Sequence, residues 1–477
     1  MNFLSLDTRS KRLAAALVSG VMLHFVLGLT PWWPMAWLAP IPLLLAAFQA
    51  SASESRLLYC VAAGLGLASN VTYYIKTTGP FATVILMVLQ VLAWGLIMGL
   101  TKTVVLKSKH WLTVFAYPLH WAALGTLIHF FSPHGAWGSL AYTQSDALAV
   151  IQIASLAGTP GVVFLVSLLA STIAIAAYRG LHIEKPWLAY GIPVVVLLSS
   201  LIFGVVRLVA PNDTPKIPVG LASIDDFIGP GIPASVADTV WRGYDDAVVQ
   251  LAKNGARIVV LPEKIATLDP AAANEKCMHL ASLARVNGVY LVAGFALHKD
   301  GHTDNAAWLF DPSGQFLGEY HKQHLVPYLE ADETPGNEDV VRSVDAHRIG
   351  IVICRDLLFP SLSRRYARQD VTALLVPAWD FYRDRWMASR VAIMRGVESG
   401  YSVVRCGREG LLVMSDACGR VIAETGSSSL PGATLLANTP FGPGKPTFYA
   451  RYGDVFGWLC VGLSILTWLR FRLTRRF

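Results

Sequence analysis

RIGIVICRD, residues 348–356, is a short run of β-branched apolar side chains that stops at Cys354 and two charged residues. A continuous apolar run of this length, bounded by polar residues, reads as a strand buried on both faces. The same grammar repeats outward from it. IPVGLASI (217–224), ARIVVLPE (256–263), VYLVAGFAL (289–297) and VTALLVPAW (371–379) are further strands. WRGYDDAVVQLAKNG (241–255) and NEKCMHLASLARVNG (274–288) carry helical spacing and end on Gly255 and Gly288. Strands alternating with helices predict an α/β domain. The hairpin-like stretch 401–425 (YSVVRCGREGLLVMSDACGRVIAET) makes its sheet mixed.

The flanks are a different material. The chain has 477 residues, 54% hydrophobic and 15% charged, and an average soluble domain runs nearer a quarter charged. Stretches of about 20 largely apolar residues are long enough to span a bilayer. They are predicted at 12–30, 32–50, 57–75, 81–101, 111–131, 150–178, 187–208 and 453–469. Gly158, Thr159, Pro160 and Gly161 interrupt the sixth, a break tolerated in a membrane only against protein or water. The expected organisation is a seven-span bundle (1–210), a catalytic domain (211–450), and a final span with a basic tail (451–477). The first span has no small-x-small cleavage site and is followed at once by further spans, so it reads as an anchor and not as a cleaved signal peptide.

Charge divides along the same lines. Residues 211–453 hold 24 Lys and Arg against 27 Asp and Glu, and the remainder holds 15 against 5. The basic excess lies beside apolar segments, which argues for membrane topology and against nucleic-acid binding. Arg9, Lys11 and Arg12, then Lys102, Lys107 and Lys109, then Arg179 and Lys185, and finally Arg470, Arg472, Arg475 and Arg476 fall on one side if the N-terminus is cytoplasmic. The α/β domain is then expected outside the plasma (inner) membrane, in the periplasm of a Gram-negative cell. None of the six cysteines forms a CxxC pair, so a zinc or dithiol site has no support. Cys406 and Cys418 sit at opposite ends of a hairpin, which argues against a disulfide.

Three residues combine into chemistry. Glu263 ends IVVLPE, Cys354 ends GIVIC, and Lys322 lies between them in EYHKQHLVPYLE. Functional groups gather at the carboxyl ends of strands in α/β sheets. A cysteine splits acyl transfer into two steps, a carboxylate moves the proton, and an ammonium stabilises the oxyanion. Taken singly, each has a bland reading: a core cysteine, a solvated loop carboxylate, a surface lysine. Trp379, Phe381, Tyr382 and Trp386 form an aromatic cluster after a strand, placed to contact acyl chains or membrane, or to cap the core.

The order Glu, Lys, Cys in the contexts LPE, YHKQHLVPYLE and GIVIC resembles the nitrilase (carbon–nitrogen hydrolase) superfamily. The word KxHLVPxxE and the apolar flanks, including WWPMAWLAPIPLLLA (32–46) and residues 140–167, resemble the apolipoprotein N-acyltransferase family. The resemblance implies an αββα sandwich on a membrane bundle of about eight helices. It implies Glu263 as general base, Lys322 as oxyanion stabiliser, Cys354 as nucleophile and Glu330 as a second, organising glutamate. It implies no metal or organic cofactor. The departures are Cys354-Arg355-Asp356 where that family has Cys-Tyr-Glu, Pro327-Tyr328-Leu329-Glu330 for Pro-Phe-Gly-Glu, and Pro377-Ala378-Trp379-Asp380 for its Asn-Asp-Ala/Thr-Trp word. Arg355 is a fixed cation beside the thiol: it lowers the thiol pKa, binds a phosphate or carboxylate, or pairs with Asp356.

The expected activity moves a fatty acyl group from a phospholipid, through a Cys354 thioester, to the N-terminal amine of a lipoprotein. Tyr382, Trp379 and Trp386 are the candidate substrate contacts. Two alternatives stand beside it: a membrane amidase or peptide acyl transferase of the conjugal-transfer type, and a silent scaffold that only binds.

Overall fold

The computed structural model describes residues 5–210, 214, 216–299 and 301–473. Two compact units emerge: residues up to Val209 together with those from Asp454 onward, and Ala210–Gly453.

The first unit is helical. Among the described residues, six helices are long and apolar enough to cross a membrane: Arg9–Leu27, Ala52–Thr78, Pro80–Lys107, Trp111–Phe131, Ala154–Arg179 and Pro186–Val209. The two remaining expected spans are shorter apolar segments, Met35–Gln49 and Val455–Arg470. Prolines 31, 34, 40 and 42 explain the first of these: Pro34 caps a one-turn helix, and a new helix begins at Pro40. The expected interruption of the sixth span is present. Gly158 adopts φ 65°, ψ −170° inside Ala154–Arg179 and is followed by Pro160, both buried. Many side chains of Pro80–Lys107 and Pro186–Val209 are apolar and exposed, among them Val84, Leu92, Val195 and Ile202. Helices that present apolar side chains outward belong in lipid, and the chain is a membrane protein.

Lys102 differs from its expected place in a loop. It is buried, and its ammonium donates to the carbonyls of Ala50 (2.6 Å) and Ser51 (3.1 Å), just past the end of helix Pro40–Gln49. A cation there satisfies carbonyls that the helix leaves open. Arg475 and Arg476 of the expected basic tail lie outside the described residues.

The second unit contains two sheets. The strands are β1 (Lys216–Ser223), β2 (Ile258–Val260), β3 (Thr267–Leu268), β4 (Tyr290–Lys299), β5 (His302–Phe310), β6 (Phe316–His321), β7 (Val340–Val344), β8 (His347–Ile351), β9 (Ala373–Trp379), β10 (Ser402–Arg408), β11 (Leu411–Ser415), β12 (Val421–Gly426) and β13 (Ala433–Pro440). The first sheet runs β13-β1-β2-β4-β5-β6, with β3 beside β4, and the second runs β12-β11-β10-β9-β8-β7. The inner strands pair in parallel: β1 with β2, β2 with β4, β8 with β9, and β9 with β10.

Alternation along the strands builds the layers. Ile258 and Val260 of β2 and Val292 of β4 point into a core shared with Ile349, Ile351, Leu374 and Val403 of the second sheet. Their neighbours Val259, Leu261, Leu291 and Ala293 face the opposite way, onto helices Ala234–Lys253 and Pro270–Asn287. A side-chain period of two forces this division. Helices Pro360–Ala367 and Arg385–Ser399 cover the second sheet, so the unit is the expected αββα sandwich. Helix Pro270–Asn287 starts at Asp269, whose side chain accepts from Ala272 N, and ends at Gly288 in the left-handed conformation. No disulfide joins cysteines among the described residues.

Candidate active site

Glu263, Lys322 and Cys354 each sit just beyond the carboxyl end of a strand. Glu263 follows β2 in a turn laid against β4: Gly294 N donates to Pro262 O (3.1 Å), and Ile265 N donates to Gly294 O (2.9 Å). Only glycine permits this approach, since a Cβ at residue 294 would lie 2.6 Å from Pro262 O and 2.7 Å from Glu263 Cα. Lys322 follows β6, and its N–H donates to Asn305 O (2.8 Å). Cys354 follows β8 and opens a tight turn, Cys354–Leu358, with φ 42°. A non-glycine residue in that region is strained, and such strain marks sites that must aim one side chain.

The side chains converge. Lys322, 1% exposed, donates from Nζ to Glu263 Oε1 (2.8 Å) and to Glu330 Oε1 (2.9 Å). Asn305 Nδ2 donates to the same two oxygens, at 2.6 and 2.9 Å. Glu263 Oε1 is therefore held twice, while its buried Oε2 has no hydrogen-bond partner among the described residues. A carboxylate fixed through one oxygen and open at the other is ready to take a proton. The Cys354 thiol donates to Trp379 O at 3.5 Å.

The charges set the resting states. Burial, then the Glu263 carboxylate, pushes the Cys354 thiol well up, and Lys322 and Arg405 only partly offset them. Cys354 thus rests as a thiol and needs a base to react. Burial pulls the Lys322 ammonium down, but the Glu263 and Glu330 carboxylates beside it raise it well above its ordinary value. Glu330, despite burial, is held at about 2 by Lys322 and Lys264.

Asp356 is fully buried and joins the lysine loop to the cysteine turn. It accepts from Tyr320 Oη (2.7 Å), Gln323 N (3.2 Å), His324 N (2.8 Å), His324 Nδ1 (3.0 Å) and Ile353 N (3.1 Å). Arg355 is buried with its guanidinium 5.7 Å from the centroid of the Phe359 ring. Of the expected aromatic contacts, Trp379 adjoins Cys354 through its carbonyl. Tyr382 is exposed under Arg385, and Trp386 lies under Arg390 at the start of helix Arg385–Ser399.

Several neighbours escape the sequence reading. Lys264 donates to Glu330 Oε1 (2.7 Å) and to Glu333 Oε1 (2.5 Å). Arg405 makes a two-pronged buried ion pair with Asp380, at 2.9 and 2.5 Å. Adjacency to Glu263 is the one signal Lys264 offers, and Asn305, within a strand, offers none.

Known proteins match both units. The carbon-nitrogen hydrolase family model matches residues 228–430, and the apolipoprotein N-acyltransferase N-terminal domain model matches residues 19–172. Its second unit is similar to the nitrilase (carbon–nitrogen hydrolase) superfamily. The chain is 29% identical over 511 residues to the apolipoprotein N-acyltransferase of Geobacter metallireducens, spanning 96% of this chain and 95% of that protein. It is 25% identical to the protein of the same name from Bradyrhizobium diazoefficiens, over 71% of this chain and 70% of that one. It is also similar to the 2-oxoglutaramate amidase of Bacillus subtilis, with 29% identity over 36% of this chain and 74% of the amidase.

Proposed function

We propose that this chain is an N-acyltransferase that moves a fatty acyl group from a membrane phospholipid to the N-terminal amine of a lipoprotein. The observation that carries the reading is the Glu263 carboxylate, fixed through Oε1 by the buried Lys322 and open at Oε2, beside a protonated cysteine.

In this reading Cys354 Sγ attacks the ester carbonyl as Glu263 Oε2 takes the thiol proton. The oxyanion forms against the Lys322 ammonium and the main-chain N–H following Cys354. The ester C–O bond breaks, Glu263 returns the proton to the departing lysophospholipid oxygen, and a thioester remains. The acceptor amine then attacks the thioester and gives its proton to Glu263. The C–S bond breaks, and the proton returns to sulfur. Glu330, Lys264 and Asn305 hold Lys322 and Glu263 in register, and Asp356 ties the cysteine turn to the lysine loop. Trp379, Tyr382 and Trp386 are the proposed acyl contacts, with Arg355 offered to the donor's phosphate.

Similarity over nearly the full length to one protein named apolipoprotein N-acyltransferase, and over about 70% to another, supports the acceptor. The apolar helices support a donor drawn from the bilayer. The basic residues flanking the spans support a cytoplasmic N-terminus and a catalytic unit on the periplasmic side of the inner membrane. Similarity to an amidase favours a second reading, in which water replaces the amine and an amide replaces the ester.

The test is complementation of a strain depleted of its own lipoprotein N-acyltransferase, with wild type and Cys354→Ala, together with intact-mass analysis of the purified protein mixed with phospholipid. Growth with wild type alone and an acyl adduct on Cys354 are expected. Failure to complement despite insertion, with ammonia released from small amides, selects the amidase.

A further inference from the structure

Three loops leave the carboxyl ends of parallel strands beside Cys354: one after β1, one after β2 and one after β9. The first two are laced together, with Ile228 N donating to Ile265 O (3.1 Å) and Thr267 N donating to Ile228 O (2.9 Å). Arg408, the last residue of β10, touches the first two loops and Trp379, the last residue of β9, from which the third departs. Arg408 is fully buried. Its Nη1 donates to the Lys264 carbonyl at 3.0 Å. Its guanidinium carbon lies 3.6 Å from the Trp379 ring centroid and 5.1 Å from that of Phe227. Those two rings are themselves nearly parallel, 22° apart, with centroids 6.2 Å from each other.

The identity of these partners matters. Lys264 directly follows Glu263 and has φ 48°, so its peptide is held in a conformation that an L residue rarely adopts. Trp379 supplies the carbonyl that receives the Cys354 thiol. Glu263 hangs from the first sheet and Cys354 from the second. The core between the sheets is apolar, and apolar packing has no directionality to fix one turn against the other. The backbone bond from Glu263 N to Ala378 O is long, at 3.4 Å. The guanidinium adds a directional bond on one side and a ring face on the other.

We propose that Arg408 is a positioning residue that sets the Glu263 carboxylate against the Cys354 thiol. It does so by clamping the Lys264 carbonyl and the Trp379 ring to one rigid plane. The proposal rests on the reading above only in taking Cys354 as nucleophile and Glu263 as its base. Misplacement of a reacting group by about 1 Å costs on the order of 100-fold in rate.

The test uses the full chain in detergent and two readouts. One is the rate of Cys354 alkylation by iodoacetamide across pH, followed on the Cys354 peptide by mass spectrometry. The other is thioester formation from micellar dipalmitoyl phospholipid. Arg408→Met is expected to slow thioester formation by about 10- to 100-fold, with the half-saturating lipid concentration unchanged. It should also move the alkylation profile toward that of Glu263→Gln, and add nothing further in the double variant. Arg408→Ala should regain rate with added guanidinium ion and not with sodium ion, which keeps the test decisive if the methionine variant fails to fold.

A wild-type alkylation profile in Arg408→Met overturns the proposal. So does an equal cost in the wild-type and Glu263→Gln backgrounds, or an Arg408→Ala protein that melts normally and ignores guanidinium. If wild type forms no thioester while the alkylation cycle is non-additive, the acyl-transfer reading falls and the role of Arg408 stands.

Discussion

Glu263 and Lys322 stand 59 residues apart in sequence and 2.8 Å apart in a site with almost no solvent contact. The ammonium is shared between two carboxylates, so in the proposed reading it serves the fold and the chemistry together. Lys322→Met leaves Glu263 and Glu330 buried without that cation. It is expected to lower stability by about 3–5 kcal/mol and thioester formation by at least about 100-fold. Thermal unfolding and intact-mass detection of the acyl adduct measure the two losses separately.

Glu330 links the same cluster to pH. Its folded pKa of about 2 lies below the ordinary 4.5. The stability it contributes is therefore complete above about pH 4.5 and disappears as pH falls toward 2. The contribution is on the order of 3 kcal/mol. Denaturant midpoints recorded between pH 6 and 3 should fall in wild type, and should fall less steeply in Glu330→Gln. Parallel curves for the two proteins would remove Glu330 from the account.

Asp356 tests the tie between two loops. Asp356→Asn keeps the volume but turns one acceptor oxygen into a donor, facing N–H groups that now lack a partner. Each buried group left unsatisfied costs about 1–3 kcal/mol. A lowered melting temperature is expected, together with a drop in thioester formation of about 10- to 100-fold. Unchanged kinetics in the variant would show that the lysine loop is held elsewhere.

Gly294→Ala places a methyl group against the backbone of Pro262 and Glu263. The turn must move, at a cost of about 1–3 kcal/mol. The rate should fall more than stability alone explains, because the carboxylate moves with its backbone. Normal thioester formation in Gly294→Ala would show that Glu263 tolerates the shift.

The strands and helices around the site were legible because each carries a local signature. β2 is a run of β-branched residues, β8 runs into the apolar stretch that ends at Cys354, β9 is an apolar run, and the helices before Gly255 and Gly288 end on glycines with positive φ. Glu263, Lys322 and Cys354 stood out through strand ends and short words. The proline-rich stretch from residue 31 to 42 gave a span-length apolar signal, yet proline breaks it into short helices. Asn305, Lys264, Glu333 and Arg408 were hidden for another reason. Their partners lie 25 to 144 residues away in sequence, and no periodicity or cap announces such a meeting.

The protonated resting state of Cys354 has a consequence for how the protein ages. Peroxide and similar oxidants attack a sulfur anion far faster than a neutral S–H group. In the proposed reading Cys354 ionises only when Glu263 and a bound acyl donor act together, and it spends its idle time in the inert form. In that reading, oxidation of this sulfur is slower than that of an ionised thiol.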